Sequence, residues 1–368
     1  MKIKTASLKK YLPLLEKYDS NNLAMGGELV IDTNRGLVCK TDGYVYITAR
    51  APELVMPDGR VFSLPSVPFT NFFHHVADEE IELKVSTKDI SLQGNKAKLK
   101  LPVKPASYPR IGWEKMDRMT DLDVYLPKEV IAEASALISG YELDNKYMPQ
   151  FENITVSYED TACFWAGSAH KMASYRSPVK STEFEGCFML PPDILSFLKD
   201  TKNAYEVHIT QERTVVAFYS GDIMVVSPVL LDKAINWQKL VDDTTQQHIG
   251  MQFVPEQLIN AVRIIMPLVQ GDTRYVDIHI KQRQVRFTAT NGENGGTTEA
   301  VVEPIAPFHE EIIPVEVRVD AAALIQLLAR FKKEKVITML FSREGRPPIL
   351  YRNEAGDKSV FISVAKKS

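Results

Sequence analysis

The chain has 368 residues, 45% hydrophobic and 25% charged, with a formal net charge of −3 at pH 7. That composition is ordinary for a soluble globular protein and leaves room for two to four domains, each with its own core. Three cysteines (Cys39, Cys163, Cys187) without metal-ligand spacing exclude a disulfide framework and suit a reducing cytoplasm, and no apolar run approaches a signal or membrane-spanning segment.

Taken in order, the chain opens with a helix over Ser7–Tyr18, with Leu8, Leu12 and Leu15 inward, Lys9, Lys10 and Lys17 outward, and a kink expected at Pro13. Gly26-Gly27 turns into strands Glu28–Asp32 and Leu37–Lys40. From Val61 to Ser86 the pattern is strand, proline, helix, then alternating Ile81, Leu83 and Val85. The three prolines of LKLPVKPASYPRIGW (Leu99–Trp113) read as a strand leaving into a linker that ends near Thr120. A proline-led helix follows Val124, and WAGSAHKMASYR (Trp165–Arg176) lies before the strand Cys187–Leu190. Pro191 or Pro192 then starts a helix with Ile194, Leu195 and Leu198 on one face, and Tyr205, Val207 and Ile209 alternate behind it. After the polar linker INWQKLVDDTTQQH come a helix ending near Met266-Pro267, the hairpin YVDIHIKQRQVRFTAT, a third strand-helix-strand run from Val317, and a last strand Ser359–Val364.

The order strand, helix, strand, strand, strand recurs. Pro65, Pro191 and Asp320 start equivalent helices at intervals of 126 and 129 residues. A weaker set begins at Ile3, Val124 and Gln252, its prolines Pro127 and Pro255 lying 128 apart. Six half-units pair into three α+β domains, expected at 1–120, 121–246 and 247–368.

No catalytic or metal-binding motif accompanies the repeat. His74 and His75 are adjacent and fall on different helix faces, and the glycine-rich TNGENGGTTEA joins strand to strand without the helix a phosphate cradle needs. No cofactor is expected, and the enzyme reading has no constellation behind it. The helices' polar faces are more informative. Lys199 and Lys202 lie opposite Leu195 and Leu198, Arg330 and Lys333 opposite Leu327 and Phe331, and Lys9, Lys10, Lys17 and Arg263 add cations. Any one of these faces could be merely solvated; their repetition suggests one basic surface that touches phosphates without reading bases.

The chain resembles the bacterial β sliding clamps, the processivity subunits of DNA polymerase III, over essentially its whole length. LPVKPASYPRI resembles the proline-rich end of that family's first domain. GSAHKMA resembles its T-D-G-H-R-L-A segment, keeping His170 and Ala173. SPVLLDKAINWQKLV resembles S-x-L-[IV]-x-G-x-[FY]-P-x-Y, with Trp237 at the tyrosine, and FISVAKKS falls where the family ends in Y-V-[IV]-M-P-M-R. The departures imply a distant member, of the kind phages and plasmids carry. The resemblance implies three tandem clamp-type domains and a head-to-tail homodimeric ring, helices inside and sheets outside. The ring would be a non-enzymatic, cytoplasmic processivity factor that encircles double-stranded DNA and binds a DNA polymerase and a clamp loader through short peptide motifs.

It also implies sites. Lys9, Lys10, Lys146, Lys199, Lys202, Arg263, Arg274, Arg330 and Lys333 would face DNA. His170, Lys171, Met172, Val241, Pro347, Ile362 and Val364 would form the partner-peptide pocket. Leu99 and Leu101 would meet Met266 and Leu268 of another subunit at the dimer interface. Two other readings stay open: a clamp-fold regulator that binds partners without encircling DNA, and an enzyme or unrelated β-rich repeat protein.

Overall fold

The computed structural model describes residues 1–17, 27–41, 45–106, 119–138, 153–158, 161–167, 171–180, 186–201, 203–210, 214–229, 248–269, 274–290, 296–306, 314–342 and 349–362. Six half-units run through them. The first is β1 (Lys2–Lys4), helices α1 (Thr5–Lys9) and α2 (Leu12–Lys17), β2 (Glu28–Asp32), β3 (Leu37–Thr41) and β4 (Tyr46–Arg50). The second is β5 (Val61–Pro65), α3 (Ser66–His75), β6 (Glu80–Val85), β7 (Asp89–Gln93) and β8 (Lys98–Pro102), followed by the short β9 (Lys104–Pro105). β10 (Met119–Leu126), α4 (Lys128–Ile138), β11 (Ile154–Tyr158), β12 (Thr161–Gly167) and β13 (Lys171–Lys180) form the third. The fourth comprises β14 (Gly186–Leu190), α5 (Pro192–Thr201), β15 (Tyr205–Thr210), β16 (Val215–Ser220) and β17 (Ile223–Pro228). The fifth is β18 (His248–Phe253), α6 (Pro255–Ile265) with a 3-10 turn at Met266–Leu268, β19 (Tyr275–Lys281), β20 (Gln284–Thr290) and β21 (Thr297–Val302). β22 (Val315–Asp320), α7 (Ala321–Ala329), β23 (Ile337–Ser342), β24 (Ile349–Asn353) and β25 (Lys358–Ile362) complete the set.

The residue that opens each helix explains its start. Pro255 occupies the first helical position of α6, where its missing N–H costs nothing. Asp320 replaces proline ahead of α7 by another device: its carboxylate accepts the Ala323 N–H at 2.9 Å and caps the helix. Pro13 breaks the first helix rather than kinking it. The helix stops at Lys9 and a new one starts at Leu12, which puts Pro13 in a first turn that needs no donor from it. Packing, not propensity, holds these helices. The 11 residues of α6 are too few for a helix stable on its own. Its buried Leu258, Ile259, Val262 and Ile265 lie against β20, β21 and α7, each side chain contributing about 1.5–3 kcal/mol.

The chain divides into two compact units, one of Met1–Ile131, Ser181–Phe184 and Asp193–Leu231, the other of Ala132–Lys180, Glu185–Pro192 and Asp232–Ser368. Unit 1 holds a nine-stranded sheet in the order β10-β15-β16-β17-β4-β3-β2-β5-β9 and a four-stranded sheet β1-β6-β7-β8. Unit 2 holds an eight-stranded sheet β14-β11-β12-β13-β25-β24-β23-β18 and a four-stranded sheet β21-β20-β19-β22. Apart from β9 the two large sheets share one topology. Each is two four-strand halves joined where the last strands of two half-units pair antiparallel, β4 with β17 and β13 with β25. Each four-stranded sheet is one such half, with the last strand of its half-unit, β8 or β21, at its edge.

Candidate functional site

The joint β13–β25 in unit 2 carries the expected pocket residues that the structure describes. Lys171 lies opposite Ile362 and Met172 opposite Phe361. Opposed residues share a face and neighbours alternate, so Met172 and Phe361 lie on one face, Lys171 and Ile362 on the other. The second face is the helix side. There Lys358 donates to Glu133 of α4 and to Glu334 just past α7, each at 2.8 Å. Burial pulls the Lys358 pKa down, but the two carboxylates outweigh it and hold it above the ordinary lysine value. Tyr175, on the same face, is pushed up to about 12, first by burial and then by Asp357 and Glu133. On the first face Met172 and Phe361 cluster with Cys163, Trp165 and Leu350, and a cleft of about 30 Å³ opens among Cys163, Trp165, Ser174, Arg176, Arg352 and Ser359. The Trp165 indole N–H donates to the Ser157 hydroxyl at 3.0 Å, which fixes the ring.

This register corrects one expectation. Ile362, expected with Met172 in one pocket, lies on the other face of the sheet, buried on the helix side, and Phe361 and Trp165 share the face of Met172 instead. Period-2 alternation would have shown this had the pairing register been known, and a lone strand end does not reveal it. His170, Val241, Pro347 and Val364 lie outside the described residues.

The expected dimer-interface residues sit on or beside two edge strands of the four-stranded sheets, β8 and β21. Leu99 and Leu101 lie on edge strand β8, half-buried and buried respectively. Met266 and Leu268 occupy the 3-10 turn after α6, and Leu268 packs over Gly296 at the start of β21, where a Cβ would meet it at 3.7 Å. The outward residues of these strands differ in sign. Lys98 and Lys100 project from β8 with Lys104 just beyond, while Glu299 projects from β21 with Glu303 just after it.

The expected DNA-facing cations fall into two groups. Lys199, Arg263 and Lys333 are exposed on or just after α5, α6 and α7 and make no ion pair with another described residue. Lys332 and Lys335, which carry no signal of their own in the sequence, are exposed beside Lys333. The other group is engaged. Lys9 donates to the Val76 carbonyl at 2.7 Å. Lys10 sits over the Tyr11 ring and bonds Asp222 at 3.1 Å, while the Tyr11 hydroxyl donates to the same carboxylate at 2.7 Å. The Tyr11 hydroxyl and Lys10 hold the Asp222 pKa below the usual carboxylate value. Arg330 donates to the Ala136 carbonyl, and Arg274 bonds Tyr275 at 3.0 Å and lies 3.7 Å from Asp320. Lys146 and Lys202 lie outside the described residues. Among the described residues no cluster of His, Cys, Asp and Glu could hold a metal, and no helix is long and apolar enough to cross a membrane.

No protein-family model matches the chain, nor does any curated protein. Solved structures do. The DNA polymerase III subunit beta of Pseudomonas aeruginosa superposes with a TM-score of 0.84 at 12% identity, over 100% of this chain and 99% of that one. The beta subunit from the DNA polymerase of Streptococcus pyogenes gives 0.83 at 15%, and the DNA polymerase sliding clamp of Bacillus subtilis 0.83 at 13%, with the same coverage. At such identity the likeness shows the fold: this chain has the fold of the bacterial DNA polymerase III beta subunits from end to end.

Proposed function

We propose that the chain is a DNA sliding clamp: a head-to-tail homodimeric ring that encircles double-stranded DNA and tethers a replicative DNA polymerase. The observation that carries this is the pair of incomplete sheets. Strand order β1-β6-β7-β8 followed by β21-β20-β19-β22 reproduces the large sheets' order, β18-β23-β24-β25 followed by β13-β12-β11-β14. The edges β8 and β21 are therefore the two halves of one more joint, and antiparallel pairing between β8 of one chain and β21 of another completes it. Such a contact is heterologous and makes a closed ring when its rotation fits. Charge supports the direction of pairing. The lysines of β8 repel a second β8, the glutamates of β21 repel a second β21, and each attracts the other. Leu99 and Leu101 on one side, Met266 and Leu268 on the other, supply the apolar contact.

The remaining assignments follow from the same reading. Three domains at 1–120, 121–246 and 247–368 pair the half-units two by two. Lys199, Arg263 and Lys333 face phosphates, with Lys9, Lys10, Lys146, Lys202, Arg274 and Arg330 as the wider set. A topological ring does not depend on tight binding, so a net charge of −3 is no obstacle. Polymerase and clamp loader bind by short peptides at the β13–β25 joint, on the face of Met172, Phe361 and Trp165, with His170, Val241, Pro347 and Val364 around it and Lys171 at the start of β13 on the opposite face. The protein performs no chemistry itself and works in the cytoplasm, where its DNA is. Sedimentation velocity tests the assembly. The expected species is a dimer of a 41.5 kDa chain; a monomer at micromolar concentration, or a ladder of larger species, would sink the ring.

A further inference from the structure

The joint β4–β17 in unit 1 repeats the topology of the β13–β25 joint in unit 2, and it is the more open of the two. On it lies a cavity of about 460 Å³, against about 30 Å³ at β13–β25, a volume typical of ligand pockets. Met224 lies opposite Thr48, and Tyr219 opposite Met224, so these side chains share one face and with Leu37 line the cavity. Beneath them is an apolar cluster that includes Cys39, Tyr46 and Val226.

Two arginines rim this floor. Arg50 ends β4 opposite Leu37. Arg35 is delivered by a fixed turn: the Asp32 carboxylate accepts the N–H groups of Asn34 at 2.7 Å and Arg35 at 3.3 Å. Gly36 takes φ +66°, where a Cβ would come within 2.6 Å of the Ala51 carbonyl oxygen, so only glycine closes the turn this way. Both arginines are exposed and neither guanidinium makes a hydrogen bond or ion pair with a described residue. Among the described lining residues the one carboxylate is Asp222, which Lys10 and Tyr11 bond and which Arg50 influences only through space.

We infer that this cavity is a second docking site, specific for an acidic peptide segment with aliphatic side chains. Apolar floor and cationic rim together fit carboxylates alternating with aliphatic groups. Phosphate contact would need the arginines but not the floor. The inference rests on unit 1 alone and stands or falls independently of the ring.

The test uses the full chain and a fluorescein-labelled peptide, acetyl-Glu-Leu-Glu-Leu-Asp-Leu, beside a neutral twin with Gln and Asn in place of the acids. Anisotropy should show the acidic peptide binding about tenfold more tightly than the twin, the scale of a pair of charge-assisted contacts at a surface. Arg35→Gln with Arg50→Gln should erase that preference without changing the far-ultraviolet circular dichroism. Amide exchange in Tyr46–Arg50 and Ile223–Pro228 should slow when the acidic peptide is added. Equal binding of the two peptides, a preference that survives the double variant, or loss of duplex DNA binding with peptide binding intact would each overturn the assignment.

Discussion

Reversing the charge on one free edge should weaken the dimer, and reversing both should restore it. Lys100 and Glu299 are outward residues of β8 and β21, so in a paired joint they lie on the same face. An opposite-charge pair across strands contributes about 0.2–1 kcal/mol, and turning it into a like-charge pair doubles the change. With two joints in a ring, Lys100→Glu or Glu299→Lys alone should cost roughly 1–4 kcal/mol of dimerisation, about 5- to 1000-fold in Kd. Each change also removes an exposed pair within its own sheet, Lys100–Asp89 at 2.9 Å or Arg286–Glu299 at 3.3 Å. Such exposed pairs contribute little to folding, so each protomer should stay folded. Sedimentation equilibrium at low and high salt reads the effect, which should shrink as salt rises because the edges are screened. The variant carrying both Lys100→Glu and Glu299→Lys should return close to the wild-type Kd. Single variants that dimerise like wild type, or a double variant as weak as the singles together, would show that these edges do not meet.

Other consequences are as concrete. Leu99→Ala with Leu268→Ala should yield folded monomers by sedimentation; an unchanged dimer would remove the interface. Charge reversal at Lys199, Arg263 and Lys333 should weaken DNA binding for all sequences alike and flatten its salt dependence by about 0.9 log unit per log unit of salt for each phosphate no longer neutralised. Phe361→Ala should abolish binding of a clamp-binding peptide measured by calorimetry, whereas Ile362→Ala, which empties the helix side, should only lower stability, by about 2–5 kcal/mol. The reverse pattern would put the pocket on the other face. Lys358 has a folded pKa above its ordinary value, so its contribution is complete below the unfolded lysine pKa and is lost as pH rises through the folded one. The alkaline loss of stability seen in thermal melts should be smaller in Lys358→Met.

The half-unit order was legible because each helix announces its own start. Pro192 and Pro255 stand at the first positions of their helices and Pro65 and Asp320 at the caps, all of them local signals that one sequence displays. The strands Tyr205–Thr210 and Tyr275–Lys281 were legible through alternation. Strand order was not. Nothing near Tyr46 or Ile223 says that β4 will pair with β17, because that joint links residues far apart in the chain and is decided by packing. The same blindness put Ile362 beside Met172. Which apolar residues line a sheet face depends on register, and register at a long-range joint is a property of the folded sheet. The cations illustrate a second limit. Lys9 and Lys10 look as free as Lys199 in sequence, yet Val76 and Asp222 engage them across 67 and 212 residues.

The central claim is topological, and topology has a direct assay. Labelled protein would be loaded by its cognate clamp loader onto nicked circular DNA, freed of unbound protein by gel filtration in high salt, and the circle then cut once with a restriction enzyme. A ring that encircles DNA stays with the circle in high salt and leaves once the DNA has ends. Protein that dissociates from the intact circle in high salt, or that remains on the linear product, would contradict the account.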